Sequence, residues 1–72
     1  MKDLEVLKRI GLNIRKMRLE QGLNLTEFAY CCGMDKGNMY KIEYGKMNLT
    51  IKTLLKICEA LKVRLVDVVN VE

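Results

Sequence analysis

Three glycines, Gly22, Gly33 and Gly45, each close a stretch of helically spaced apolar residues, and each is soon followed by a residue suited to start a new helix. Glycine enters the left-handed backbone conformation that ends a helix without the penalty a Cβ imposes. Asn24, Asp35 and Thr50 then carry side-chain oxygens able to accept bonds from the orphan N–H groups of a first helical turn. The residue before each cap is apolar and is matched by an apolar residue at the fourth helical position: Leu23 with Phe28, Met34 with Met39, Leu49 with Leu54. Glu27, three residues after Asn24, completes the pattern of a capping box.

Punctuated this way, and without proline, the chain predicts helices over about Asp3–Gln21, Leu25–Cys32, Lys36–Tyr44 and Ile51–Leu61. On the first, Leu4, Leu7, Gly11, Ile14 and Met17 form an apolar stripe, with Lys8, Arg9, Arg15, Lys16 and Glu20 largely off it, a basic run that reads as a solvated face in preference to the alternative, a ligand site. The segment from Val63 to Val71 is rich in β-branched residues that suit a strand about as well as a helix, and Arg64 is a poor cap. A Val63–Val68 staple and the need to cover the end of the core favour a fifth helix. The expected architecture is all-α, a compact single domain spanning residues 1–72.

Thirteen Lys and Arg against nine Asp and Glu leave a net charge of +4, which favours an anionic partner. No apolar run approaches the length of a membrane span and no secretion signal is visible, so a cytoplasmic location is expected. Cys31, Cys32 and Cys58 match neither a disulfide set nor zinc-ligand spacing, and histidine is absent. With no nucleophile beside a base and no phosphate-cradling glycine loop, neither an enzyme nor a bound metal or cofactor is expected.

Function concentrates in the second and third helices. Only Gly33, Met34 and Asp35 separate them, so the two short segments must cross steeply as a helix-turn-helix. Phe28, Cys32, Met34, Met39 and Ile42 then face inward, with the small Ala29 where the helices approach. Lys36, Gly37, Asn38, Tyr40 and Lys41 project outward without a single acid. An ordinary αα-hairpin would explain the inner positions and not the outer ones.

The runs NIRKMRLEQGLNLTEFA, GMDKGNMYKIEYGK and NLTIKTLLKICEALKV resemble the Cro/C1-type helix-turn-helix domains of phage repressors, the XRE family, over about Ile10 to Val69. RLEQGL, FAYCCGMD and NLTIKTL are also similar to the controller proteins of restriction-modification systems. The resemblance implies a five-helix, phage-repressor-like fold and a homodimer that binds a double-stranded DNA operator as a transcriptional repressor or controller. It places base contacts on Lys36, Gly37, Asn38 and Tyr40. Lys36 can donate to guanine O6 and N7, and Asn38 can pair with the N6 and N7 edge of adenine. Gly37 is either a point of close approach to DNA or a tolerated helix-start residue.

Phosphate contacts are expected at the start of the second helix, through Asn24 and Thr26, and at Lys41, Lys46 and Asn48. Leu25 stands where the family commonly has Gln. Arg18 and Glu43 occupy the positions of a structural salt bridge between the first and third helices. Val66, Val69 and Val71 are the candidate dimer contact, unless they only close the core; Leu12 and Leu19 form a second candidate patch. The alternative reading is a protein-interaction module, such as an antitoxin or antirepressor. With the chain ending at Glu72, no separate effector or toxin-binding domain is expected.

Overall fold

The computed structural model describes residues 2–71 and contains five helices: α1 (Asp3–Glu20), α2 (Leu25–Cys31), α3 (Lys36–Glu43), α4 (Ile51–Leu61) and α5 (Leu65–Val69). The starts follow the cap chemistry. The side chains of Asn24, Asp35 and Thr50 accept bonds from the backbone N–H groups of Glu27, Asn38 and Thr53 at 2.8, 2.9 and 3.1 Å. The Glu27 carboxylate reciprocates by accepting the Asn24 N–H at 3.1 Å.

The ends follow the glycines. Gly22, Gly33 and Gly45 have φ of 72°, 68° and 68°. Their N–H groups donate to the carbonyls of Leu19, Tyr30 and Ile42, and the next residues in turn donate to Arg18, Ala29 and Lys41. These paired bonds satisfy carbonyls that a helix end would otherwise leave without partners. α4 closes by the same pattern, Lys62 to Glu59 and Val63 to Cys58, but there the left-handed residue is Lys62, with φ 59°.

The core runs through all five helices, with Ile14, Phe28, Met39, Ile42, Ile57, Leu61 and Val68 fully enclosed. The staple residues Leu23, Met34 and Leu49 pack against it half-buried. One expectation on α1 needs correction: Leu4 is 57% exposed, whereas Ile10 and Arg18 are buried. Residues 2–5 are all exposed, so the first turn extends past the core. Further along, α3 and α5 both pack on α1 and widen its covered face to take in Ile10 and Arg18.

The Val-rich segment is helical. Asp67 accepts the Arg64 N–H at 2.9 Å, supplying the first-turn bond that Arg64's own side chain does not make. Its end is tied to α1, where Asn13 Nδ2 donates to the carbonyls of Val68 and Asn70 and Arg9 Nη1 donates to that of Val71. Val68 enters the core, and no strand exists among the described residues for this segment to pair with.

A side chain at a left-handed position costs about 1–2 kcal/mol, partly offset in glycine by the entropy of its unfolded chain. Lys62→Gly is therefore expected to stabilise the domain by about 0.5–1 kcal/mol. Urea unfolding would show this as a raised midpoint at unchanged slope; a lowered midpoint would mean that the Lys62 side chain contributes more than its backbone costs.

Candidate nucleic-acid interface

α3 is a two-faced helix. Met39, Ile42 and Glu43 are buried, while Lys36, Gly37, Asn38, Tyr40 and Lys41 are all exposed. Two backbone approaches fix its seat on α1. A Cβ on Gly11 would fall on the backbone carbonyls of Ile42 and Glu43. A Cβ on Gly45 would stand 2.7 Å from the Lys8 backbone. Each glycine lets one helix reach the backbone of the other, closer than any side chain would permit.

Further along α1 lies a buried ion pair. Arg18 Nε and Nη2 donate to the two carboxylate oxygens of Glu43 at 2.7 and 3.0 Å, and Nη1 donates to the Leu23 carbonyl at 2.9 Å. The fork is thus shared between α3 and the turn entering α2. The Glu43 side chain is only 1% exposed, so its charge is compensated within the fold and does not face the outer surface.

The outer face is ordered by aromatic contacts. The rings of Tyr40 and Tyr44 lie 4.7 Å apart and are inclined by 31°. The Arg15 guanidinium sits 4.8 Å from the Tyr44 ring centre, and the Lys46 ammonium 5.5 Å from that of Tyr40. Two rings and two cations therefore form one ladder, from α1 across the end of α3 to the following loop. The sequence pattern points to neither Tyr44 nor Arg15 as a site residue. The i, i+4 spacing of Tyr40 and Tyr44 was the one available signal.

Other expected positions are more dispersed. Asn24 and Thr26 are exposed at the start of α2, where the capping box occupies the N–H groups of Asn24 and Glu27. Leu25 is half-buried against the core. Asn48 lines a recess with Asp3, Val6, Leu7 and Leu49 near the beginning of α1. At Gly37 a Cβ would come 3.2 Å from Asp35 Oδ1, the oxygen that caps α3, so glycine there also gives the cap room.

Of the cysteines, Cys31 is exposed, and Cys32 and Cys58 are buried. Burial pushes the Cys32 thiol up to about 11, with the neighbouring Cys31 adding to the shift and Lys56 opposing it. Burial also raises Cys58, aided by Asp67. Both are neutral thiols that behave as small apolar groups. Among the described residues no group of three or more His, Cys, Asp or Glu is arranged to hold a metal, and no helix is long and apolar enough to cross a membrane.

The family profile for the Cro/C1-type HTH DNA-binding domain matches residues 13–72. The chain belongs to this family. A relative described as the uncharacterized HTH-type transcriptional regulator y4dJ of Sinorhizobium fredii is 30% identical over 67 residues, covering 93% of this chain and 87% of that one. The fold is similar to the restriction-modification controller protein C.AhdI of Aeromonas hydrophila, with TM-score 0.83 and 26% identity over 86% of this chain and 94% of that chain. It is also similar to a variant of the controller protein C.Esp1396I, with TM-score 0.76 and 36% identity over 82% of this chain and 79% of that chain. The clp gene regulator ClgR of Corynebacterium glutamicum gives TM-score 0.86 at 25% identity, over 90% and 84% of the two chains. The resemblance to Cro/C1-type domains and to controller proteins thus holds, as does the five-helix fold it implied. The family is one of DNA-binding transcriptional regulators, not enzymes.

Within this Cro/C1-type fold the ion pair carries the placement of α3. Arg18→Ala would strand the Glu43 carboxylate in the core and is expected to cost about 3–5 kcal/mol, a large part of the stability of a small domain. Combining Arg18→Met with Glu43→Leu removes both charges and should recover most of that loss. Urea unfolding of the three proteins would test this, and a single variant within about 1 kcal/mol of wild type would refute the anchoring role.

Proposed function

We propose that this chain is a sequence-specific transcriptional regulator that inserts α3 into the major groove of a double-stranded operator and binds it as a homodimer. The observation that carries the reading is the acid-free outer face of α3, presented by a helix whose inner face is locked to α1. In such docking the N-terminal residues of the inserted helix reach base edges. Lys36 and Asn38 stand at that end with exposed side chains that take no part in capping, since Asp35 bonds only the backbone of Asn38. Tyr40 follows one turn later, and Gly37 keeps the helix start narrow. Asn24, Thr26, Lys41, Lys46 and Asn48 serve the phosphates, with the Leu25 side chain given over to packing.

One recognition helix reads few base pairs, and a two-fold dimer doubles the site. The likeness to the controllers C.AhdI and C.Esp1396I supports this regulator reading, with repression or control exerted by operator occupancy. For the dimer contact, Val66 is 53% exposed on α5, and Ile51 and Leu55 stand exposed one turn apart on α4, which packs beside it. Val69 and Val71 are half-buried against the protein's own core and contribute their outer edges.

Selection of duplexes from a random pool should enrich one half-site in a two-fold arrangement. Lys36→Ala and Asn38→Ala should each lose about 1–3 kcal/mol on that site and relax discrimination at one position. Recovery of no preferred sequence would favour a protein-interaction role for the same scaffold. Val66→Asp should shift the sedimenting species to monomer at micromolar concentration, and an unchanged mass would exclude this face as the dimer contact.

A further inference from the structure

We infer that Arg15 and Tyr44 form a contact to the DNA backbone, in which the Tyr44 ring holds the Arg15 guanidinium in place for a phosphate beside the groove that α3 enters. The inference rests on the proposed DNA-binding role and adds two residues to it. Arg15 belongs to α1 and lies over Tyr44, the residue that closes α3, at 4.8 Å from the ring centre. Among the described residues its guanidinium donates no hydrogen bond and joins no ion pair; the nearby buried carboxylate of Glu43 is taken by Arg18. Arg15 is half-buried as a residue, and its guanidinium, held over a ring with no protein acceptor, has lost side-chain freedom without gaining a hydrogen bond in return. An anion arriving there meets a donor fork already in position.

The location selects phosphate over base. Lys36 and Asn38 stand at the N-terminal end of α3, the end whose residues meet base edges, and Tyr44 stands at the opposite end. That end also carries the negative pole of the helix dipole, which repels phosphate unless cations offset it. Arg15 and Lys46 supply such cations from opposite ends of the Tyr44–Tyr40 stack, with no carboxylate in the ladder. The same stack touches Tyr40 through both Tyr44 and Lys46, so the proposed base-reading residue and the phosphate contact share one set of rings.

The test compares wild type, Arg15→Ala, Tyr44→Leu and Tyr44→Phe on the selected duplex and on an unrelated one, across a salt series. Arg15→Ala should weaken both complexes about equally, by roughly 5- to 10-fold, and reduce the salt slope by about 1. Tyr44→Leu, which keeps the charge but frees it, should lose roughly 2- to 5-fold at a nearly unchanged slope, and Tyr44→Phe should match wild type. An Arg15→Ala slope equal to wild type overturns the phosphate contact, even if thermal stability falls. Wild-type affinity in Tyr44→Leu, or equal losses in Tyr44→Leu and Tyr44→Phe, overturns the positioning role of the ring. Either result leaves a sequence-selective wild type intact, whereas failure of wild type to bind any duplex removes the underlying reading itself.

Discussion

The fold's functional geometry hangs on the buried contact between Arg18 and Glu43. Taking two charges out of water costs several kcal/mol each, and the structure offsets this through a bidentate fork and a third bond to the Leu23 carbonyl. Leu23 is held twice, because its own N–H donates to the Arg18 carbonyl. One residue thereby fixes the turn into α2 and the C-terminal end of α3 relative to α1. No buried polar side-chain atom among the described residues lacks a partner, so this compensation is complete. Apolar packing alone would permit α3 to slide or roll on α1, whereas two hydrogen-bonded oxygens at fixed spacing define one register.

Gly11 and Gly45 make that register possible by letting each backbone touch the other helix, and the consequence reaches the exposed face. With Ile42 and Glu43 pressed to α1, residues 36, 37, 38, 40 and 41 have nowhere to point but outward. The acid that the sequence places in α3 is the one turned inward and neutralised. A surface suited to an anion thus arises from how a carboxylate is buried as much as from where lysines are displayed.

Much of this was legible because helix ends are local chemistry. A cap oxygen, a glycine and a staple act over five or six residues, so the boundaries of α1 to α3 lie within one residue of those read from sequence. The end of α4 had no glycine to mark it, since Lys62 takes the left-handed position, yet the bounds read from sequence, Ile51–Leu61, are those observed, because the apolar spacing itself stops at Leu61. The exposure of Leu4 and the burial of Ile10 depended on how far α3 and α5 extend along α1, which no periodicity within α1 contains. The helical state of Leu65–Val69 was favoured by its staple, but the way its end is tied down was not legible, since Asn13 and Arg9 reach the carbonyls of Val68, Asn70 and Val71 across more than 50 residues of sequence. Arg18 and Glu43 were readable through the family resemblance. Arg15 and Tyr44 were not, because their meaning lies in a contact between two helices and neither residue signals it alone.

α1 also links the two surfaces that the proposed regulator needs. Gly11 and Arg18 hold α3 on one face, while Arg9 and Asn13 hold the end of α5 by side chains on the other. Gly11 and Asn13 are two residues apart, about 200° around a helix turning 100° per residue. Three hydrogen bonds on the α5 side and the buried fork on the α3 side leave little freedom between them. In a dimer joined through α5, the distance between the two copies of α3 would therefore be set by a single rigid helix in each subunit. Rigidity of that kind favours a fixed half-site spacing, since a duplex with a different spacing must itself bend or twist to meet both helices.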